Sequence, residues 1–318
     1  MNIKTTRNLL GAAVFATAML GAGALRAQEE IKIGVVNLSL CCAYFVGMDA
    51  AVKDEASAYS NVRLLSTDAD GDVAKLTSDV EDLLNQGVSG LIVSGAFIEA
   101  APAALEAITE AGVPVVMVDR LLKGGDYTSW VGPDNRAIGE GIGDYIVDRL
   151  GGSGKVVIIR GGPADNTIGS NRTDGVSAKL AAANLTAVVA PGWGDWSADG
   201  GFRQMEDMLS KETDISAVFC ENDSMCLGAQ NAIADAGLAD SIFIASVDGE
   251  AGALAEIARE GSNYGATGLN SADQIGRAGF NRLMAILAGA AAPKDTAMPS
   301  PIITKDNVAR FINEDSVF

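Results

Sequence analysis

Five short stretches of this chain carry the side chains with chemistry to offer. They are Asp119-Arg120, Glu221-Asn222-Asp223, Asp248-Gly249, Asn270 and Cys41-Cys42-Ala43-Tyr44-Phe45, each placed just after a short apolar run. A further arginine, Arg172, stands near the start of an amphipathic segment. A carboxylate accepts two hydroxyl protons, a guanidinium donates a planar fork, and an amide does both. That set suits a neutral polyhydroxylated molecule, because an analogue lacking one hydroxyl would leave a charged partner unpaired. Tyr44, Phe45 and Trp196 lie in stretches read as loops, where aromatic rings could cover the C–H face of such a molecule. Each feature also has a plainer reading. Asp119-Arg120 could be a surface ion pair, Asn222 or Asp223 a helix N-cap, Asp248-Gly249 a turn, and Tyr44-Phe45 a hydrophobic staple. Their recurrence at strand ends favours a ligand.

The composition argues against catalysis. Among 318 residues there is no histidine, which removes the commonest general base and the commonest metal ligand. No nucleophile is paired with a base, so neither an enzyme nor a cofactor is expected. The four cysteines, Cys41, Cys42, Cys220 and Cys226, include no C-x-x-C pair, and no metal site is expected from them. Gly151-Gly152-Ser153-Gly154-Lys155 has the wrong glycine spacing for a phosphate loop and precedes a strand rather than a helix. A formal charge of -18 disfavours nucleic acid and anionic membrane surfaces as partners.

The elements that must position these residues alternate strictly. Apolar β-branched runs at Ile31–Val36, Val62–Ser66, Gly90–Ser94 and Pro114–Val118 predict parallel strands, separated by helical periodicity at Val46–Tyr59, Val73–Gln86 and Ala100–Ala111. The pattern then restarts. Helices are predicted at Asn135–Leu150, Ile168–Asn184, Phe202–Ser210, Ser224–Ala236, Ala251–Arg259 and Ala272–Ala288. Strands fall at Lys155–Ile159, Leu185–Ala190, Ala217–Cys220, Ile242–Val247 and Tyr264–Gly268. Gly139, Gly141 and Gly143 fall inside a helix and imply close packing there. Such β-α-β series require parallel sheets covered by helices on both faces. The expected fold is α/β: two similar three-layer αβα lobes joined by a multi-crossover hinge. Val131–Asn135, with Gly132 and Pro133, is the expected first crossover. Ligands of open α/β sheets sit beyond the carboxyl ends of the strands, which is where the polar stretches fall.

The chain opens with Lys4 and Arg7, an apolar run from Leu9 to Leu20, and small residues from Gly21 to Ala27. This reads as a secretory signal peptide, cleaved after Ala27 or Ala24, so a soluble exported protein is expected. Export would permit disulfides. Adjacent Cys41 and Cys42 bridge poorly; a Cys220–Cys226 disulfide is conceivable but would span a strand end and a helix, so buried free thiols are the plainer expectation.

Several strings resemble the ribose-binding-protein group of type I periplasmic binding proteins, the solute receptors of ABC sugar importers. They are Val115-Val116-Met117-Val118-Asp119-Arg120, Phe219-Cys220-Glu221-Asn222-Asp223-Ser224-Met225-Cys226-Leu227-Gly228-Ala229, Val247-Asp248-Gly249 and Asp273-Gln274-Ile275-Gly276. The resemblance covers nearly the whole mature chain. It implies a monosaccharide or polyol held in an interlobe cleft by hinge closure, a periplasmic location, a membrane permease as partner, and a monomer. It implies ligand-binding roles for Asp119, Arg120, Arg172, Asn222, Asp248 and Asn270, with Tyr44, Phe45 and Trp196 as an aromatic clamp. It also implies later crossovers near Asn270 and Pro299–Ile303. The expected lobes are residues 28–133 with 271–298, and 134–270 with 299–318. Where the family has Asn-Pro before the aromatic pair, this chain has Cys42-Ala43, and Asn270 is a short amide. Both departures point away from ribose towards another pentose, a hexose or a linear polyol. The competing readings are a sugar or autoinducer receptor for a chemoreceptor or sensor kinase, and a lactose-repressor-type regulator. The latter would need a DNA-binding domain where the leader stands.

Overall fold

The computed structural model describes residues 29–40, 42–94, 98–122, 126–163, 168–313, 316 and 318. The expected leader and Cys41 lie outside the described residues. Two six-stranded sheets organise the chain. The first contains β1 (Ile31–Asn37), β2 (Val62–Asp68), β3 (Gly90–Ser94), β4 (Val115–Val118), β5 (Ser129–Pro133) and β11 (Asp295–Met298), in the order β11-β5-β4-β3-β1-β2. The second contains β6 (Lys155–Ile159), β7 (Thr186–Val189), β8 (Ile215–Cys220), β9 (Phe243–Asp248), β10 (Tyr264–Leu269) and β12 (Ile302–Thr304), in the order β12-β10-β9-β8-β6-β7. All pairings are parallel except β10 with β12. The two orders are the same winding used twice: β1 to β5 correspond to β6 to β10, and each sheet closes with a late edge strand.

Helices cover both faces of each sheet, as buried parallel strands require. On the first sheet, α1 (Ala43–Ser57) and α9 (Ala272–Leu287) form one layer, and α2 (Val73–Asn85) and α3 (Pro102–Ala111) the other. On the second, α4 (Asn135–Leu150) and α5 (Gly169–Ala182) oppose α6 (Ala198–Lys211), α7 (Asp223–Asp235) and α8 (Ala251–Ala258). Helix starts are marked by Asp72, Asp134, Ser197, Asn222 and Ser271, whose side chains accept from backbone N–H groups of the first turn. This is the expected αβα architecture, with three corrections. Within the expected crossover Val131–Asn135 only the step from Pro133 to Asn135 passes between the sheets, because Ser129–Pro133 is strand and pairs with both β4 and β11. The short edge strands β11 and β12 gave no readable apolar run. And α1 starts at Ala43 rather than Val46, since Cys42 already holds the extended backbone of a cap residue. Tyr44 and Phe45 therefore stand in the first helical turn, not in a loop.

The glycines inside α4 do allow close packing. A Cβ on Gly139 would lie 2.2 Å from the carbonyl oxygen of Arg172, and one on Gly143 2.6 Å from Cβ of Lys179. The backbone of α4 thus sets the position of the helix that carries Arg172. In a free helix Gly→Ala stabilises by about 1 kcal/mol. Here Gly139→Ala is expected to destabilise, by about 1–3 kcal/mol, through overpacking. A urea titration reads the sign, and a stabilised variant would disprove the contact.

Candidate ligand-binding site

The equivalent winding of the two sheets places their strand ends in matching positions. Asp119 follows β4 and Asp248 ends β9, the corresponding strand of the second lobe. Both aspartates have positive φ, 67° and 134°, and both are buried. Backbone strain of this kind costs about 1–3 kcal/mol and persists only where the surroundings over-determine it. Here the strained turns set the two carboxylates at the carboxyl ends of their sheets, Asp119 against Tyr44 and Asp248 against Arg172 and Asn270.

A continuous polar chain joins them. The Tyr44 hydroxyl lies 2.7 Å from Oδ1 of Asp119 and 3.0 Å from Oδ1 of Asn270. The Asn270 amide donates to Oδ1 of Asp248 at 3.1 Å. Arg172 pairs with the same oxygen at 3.1 Å, and donates to Oδ1 of Asn135 and the carbonyl of Glu221 at 2.8 and 2.6 Å. Tyr44 and Asp119 come from the first lobe, Arg172 and Asp248 from the second. Asn270 stands where the chain leaves β10 for α9. Arg172 is only 2% exposed, so its charge depends on protein partners rather than on water.

The other predicted residues surround this chain. Phe45 meets Tyr44 edge-on with ring centroids 5.4 Å apart. Cys42 caps α1 beside them, and buried Arg120 follows Asp119. Trp196 and Asn222 form a separate pair. The Asn222 amide donates to the Trp196 carbonyl at 3.3 Å while its Oδ1 caps α7 through Met225 N, so the plainer cap reading also holds for this residue. The Trp196 ring lies on Gly161, where an added Cβ would be 2.1 Å from the indole.

Three supporting residues escaped the sequence reading. Asn135 begins α4 just past the crossover and holds Arg172. Glu221 accepts from Gly161 N and the Thr173 hydroxyl, both at 2.6 Å, tying β6, β8 and α5 together. Asp223 accepts from Gly249 N, Glu250 N and the hydroxyls of Ser246, Tyr264 and Thr267. The run Glu221-Asn222-Asp223 was visible, but nothing in it showed which carboxylates turn inward. Cys220 and Cys226, expected as free thiols, are joined by a disulfide. The tight Glu221-Asn222-Asp223 turn brings their Cα atoms to 5.5 Å, inside the range a disulfide needs.

Burial sets the titration of the core carboxylates. It pushes Asp248 up to about 8, against the pull of Arg172 and with help from Asp223 and Asp119. It pushes Asp223 up to about 6 despite the hydroxyls it accepts from. A raised carboxylate holds its proton in the native state after the unfolded chain has lost it, so stability falls as pH rises through that window. Glu256 is opposite: Arg259, Gln230 and Ser262 hold it down to about 2, and the stability it contributes is lost as pH falls. The thermal midpoint of the ligand-free protein is therefore expected to peak at about pH 4 and decline to about pH 8. Asp248→Asn should flatten the upper part of that decline, while a midpoint rising from pH 5 to pH 8 would contradict these assignments.

This arrangement can be compared with known proteins. A model described as periplasmic binding protein domain matches residues 33–291. The chain belongs to this family. Among the family's proteins, the ribose import binding protein of Bacillus subtilis (strain 168) is 32% identical over 87% of this chain and 88% of its own length. The xylitol-binding protein of Mycolicibacterium smegmatis is 29% identical, covering 94% of this chain and 84% of its own. A crystal structure of an ABC transporter solute binding protein from Mycobacterium smegmatis with bound glycerol superposes with a TM-score of 0.83. It is 31% identical, covering 90% of this chain and 98% of that one. Membership of this periplasmic binding protein family agrees with the resemblance read from the strand-end motifs.

Proposed function

We propose that this protein is the solute-binding component of an ABC importer and holds a monosaccharide or polyol between its lobes. The observation that carries the reading is the polar chain Asp119–Tyr44–Asn270–Asp248–Arg172. Its members project from the carboxyl ends of two separate sheets and together offer acceptors and donors to a neutral polyhydroxy molecule. Arg120, Asn222, Phe45, Trp196 and Cys42 complete the lining. The relatives support the ligand class: one is named for ribose, one for xylitol, and one structure holds glycerol.

In this reading the lobes are residues 28–133 with 271–298, and 134–270 with 299–318. The connections after Pro133, at Asn270 and before β12 act as the hinge. Ligand stabilises closure by its extra contacts in the closed state. A permease recognises the closed surface, the mature protein works in the periplasm as a monomer, and the bound molecule is released unchanged. A thermal-shift screen of pentoses, hexoses and alditols tests the ligand class. At least one should raise the midpoint by several degrees at millimolar concentration, because ligand that binds only the native state stabilises it. If none shifts the midpoint, the sugar and polyol reading fails.

A further inference from the structure

We propose that Phe318 is a positioning residue of the ligand site, reaching over from the second lobe to fix the ring of Tyr44 on the first. This rests on the sugar-or-polyol reading above. The chain approaches Phe318 from the core of the second sheet. Val308, in the short helical turn Val308–Arg310 after β12, is buried in that core, and Phe311 packs against the same cluster. The half-buried Phe318 ring packs instead against the core of the first sheet, in the cluster that holds Met48, Val118 and Phe280. There it meets Tyr44 edge to face, with ring centroids 5.2 Å apart and planes at 84°. Beyond β12 the chain thus passes once more from one core to the other, and the passage lands on a member of the polar chain.

Tyr44 has a use for such a contact. Its phenol oxygen lies 2.7 Å from Asp119 Oδ1 and 3.0 Å from Asn270 Oδ1, and the working range of an O–H···O bond is narrow. That oxygen stands at the far end of the side chain, so a modest swing of the ring breaks both contacts. Phe45 also touches the ring, at 5.4 Å between centroids, but it is the next residue on the same helical turn and moves with Tyr44. Phe318 comes from outside α1 and can hold the ring against Asn270, where the chain leaves β10. Phe318 is itself held by a local turn. Its N–H donates to Ser316 Oγ at 3.2 Å, and the Ser316 hydroxyl donates to its carbonyl at 2.6 Å. A cavity of about 220 Å³ bordered by Phe318 is also bordered by Gly249, Leu269 and Ser271, the chain neighbours of Asp248 and Asn270. Phe318 therefore stands behind the polar chain itself, and trimming it widens an existing space rather than opening a closed core.

A ring already in place need not be ordered when ligand arrives, so the contact should show in affinity more than in stability. The test is calorimetric titration of wild type, Phe318→Ala and Phe318→Tyr with xylitol and the other alditols, pentoses and hexoses of the thermal-shift screen, beside urea denaturation of each protein. Phe318→Ala is expected to bind about three- to tenfold more weakly, the cost of ordering one more side chain on binding, with little movement of its urea midpoint. Phe318→Tyr keeps the ring and should bind as wild type does. Phe318→Leu, which keeps the bulk and drops the ring, carries the same expectation as alanine should the alanine variant unfold. Wild-type affinity in the variants without the ring, or an equal loss in Phe318→Tyr, would overturn the proposal and leave the ligand class standing. Wild type binding none of these molecules would overturn the ligand class, and this proposal with it.

Discussion

Replacing Arg172 with alanine is expected to abolish detectable ligand binding while the protein remains folded. The guanidinium contacts Asp248, Asn135 and the Glu221 carbonyl at once, and is 2% exposed. Truncating one member of a buried, hydrogen-bonded charge pair costs about 2–5 kcal/mol of binding, which carries a micromolar site beyond the millimolar range. Survival of the fold follows from Asp248. Its carboxyl already titrates near 8 with the arginine present, because burial outweighs the attraction. Without Arg172 it shifts higher still and takes up a proton instead of standing as an uncompensated charge. The part of the stability loss that comes through Asp248 should therefore be negligible at about pH 5 and reach roughly 1 kcal/mol at about pH 9, above its titration with the arginine present. Titration calorimetry reads the binding, and thermal midpoints at the two pH values read the rest. Normal affinity in the variant would remove Arg172 from the site. An equal loss of stability at both pH values would mean that Asp248 does not take up the proton.

Asp223→Ala is expected to give the largest loss of stability among single substitutions near the cleft, about 2–5 kcal/mol. Two of the five donors it satisfies are the backbone N–H groups of Gly249 and Glu250, each at 2.7 Å. The Ser246, Tyr264 and Thr267 hydroxyls can rotate to other acceptors and Gly249 N–H keeps a 3.2 Å contact with Thr267 Oγ1, but the Glu250 amide has no such alternative among the described contacts. A buried N–H left unpaired costs about 1–3 kcal/mol. These amides also define the turn that holds Asp248 at φ 134°. Ligand affinity should consequently fall although Asp223 lies beneath the polar chain rather than in it. Urea denaturation with a parallel titration separates the two effects. A loss under about 1 kcal/mol would show that the turn holds itself.

The α/β architecture was legible because buried parallel strands are continuous apolar runs, and their ends are sharp. That sharpness located Asp119, Asp248 and Asn270. It failed where strands are short edge pieces, as at β11 and β12, whose residues carry no distinct pattern. The polar set could be named from residue type, but its connectivity could not. That Asn270 reaches back to Tyr44 and across to Asp248 depends on how the two sheets face each other, and no local spacing encodes that. Glu221 and Asp223 share a string with Asn222, and only the tertiary fold decides that the first ties β6 to α5 while the second gathers β9 and β10. The cysteine pair was misread for a related reason: a strand end and a helix suit a disulfide only when the turn between them is as tight as this one.

That disulfide gives the molecule a memory. Cys220 and Cys226 are both 0% exposed, and between them lie Glu221, Asn222 and Asp223. Once the native state has formed, no dissolved reductant reaches the sulfurs without opening the second lobe, and before then nothing shields them. The state of the pair thus records the conditions under which the chain folded rather than those in which it is later kept. Protein folded under oxidising conditions should resist alkylation in reductant until denaturant is added. Protein folded under reducing conditions should keep two thiols and be less stable by roughly 2 kcal/mol, the contribution of so short a covalent loop. Two preparations of one sequence, stored in the same buffer, would then differ in how firmly the turn beneath the cleft is held.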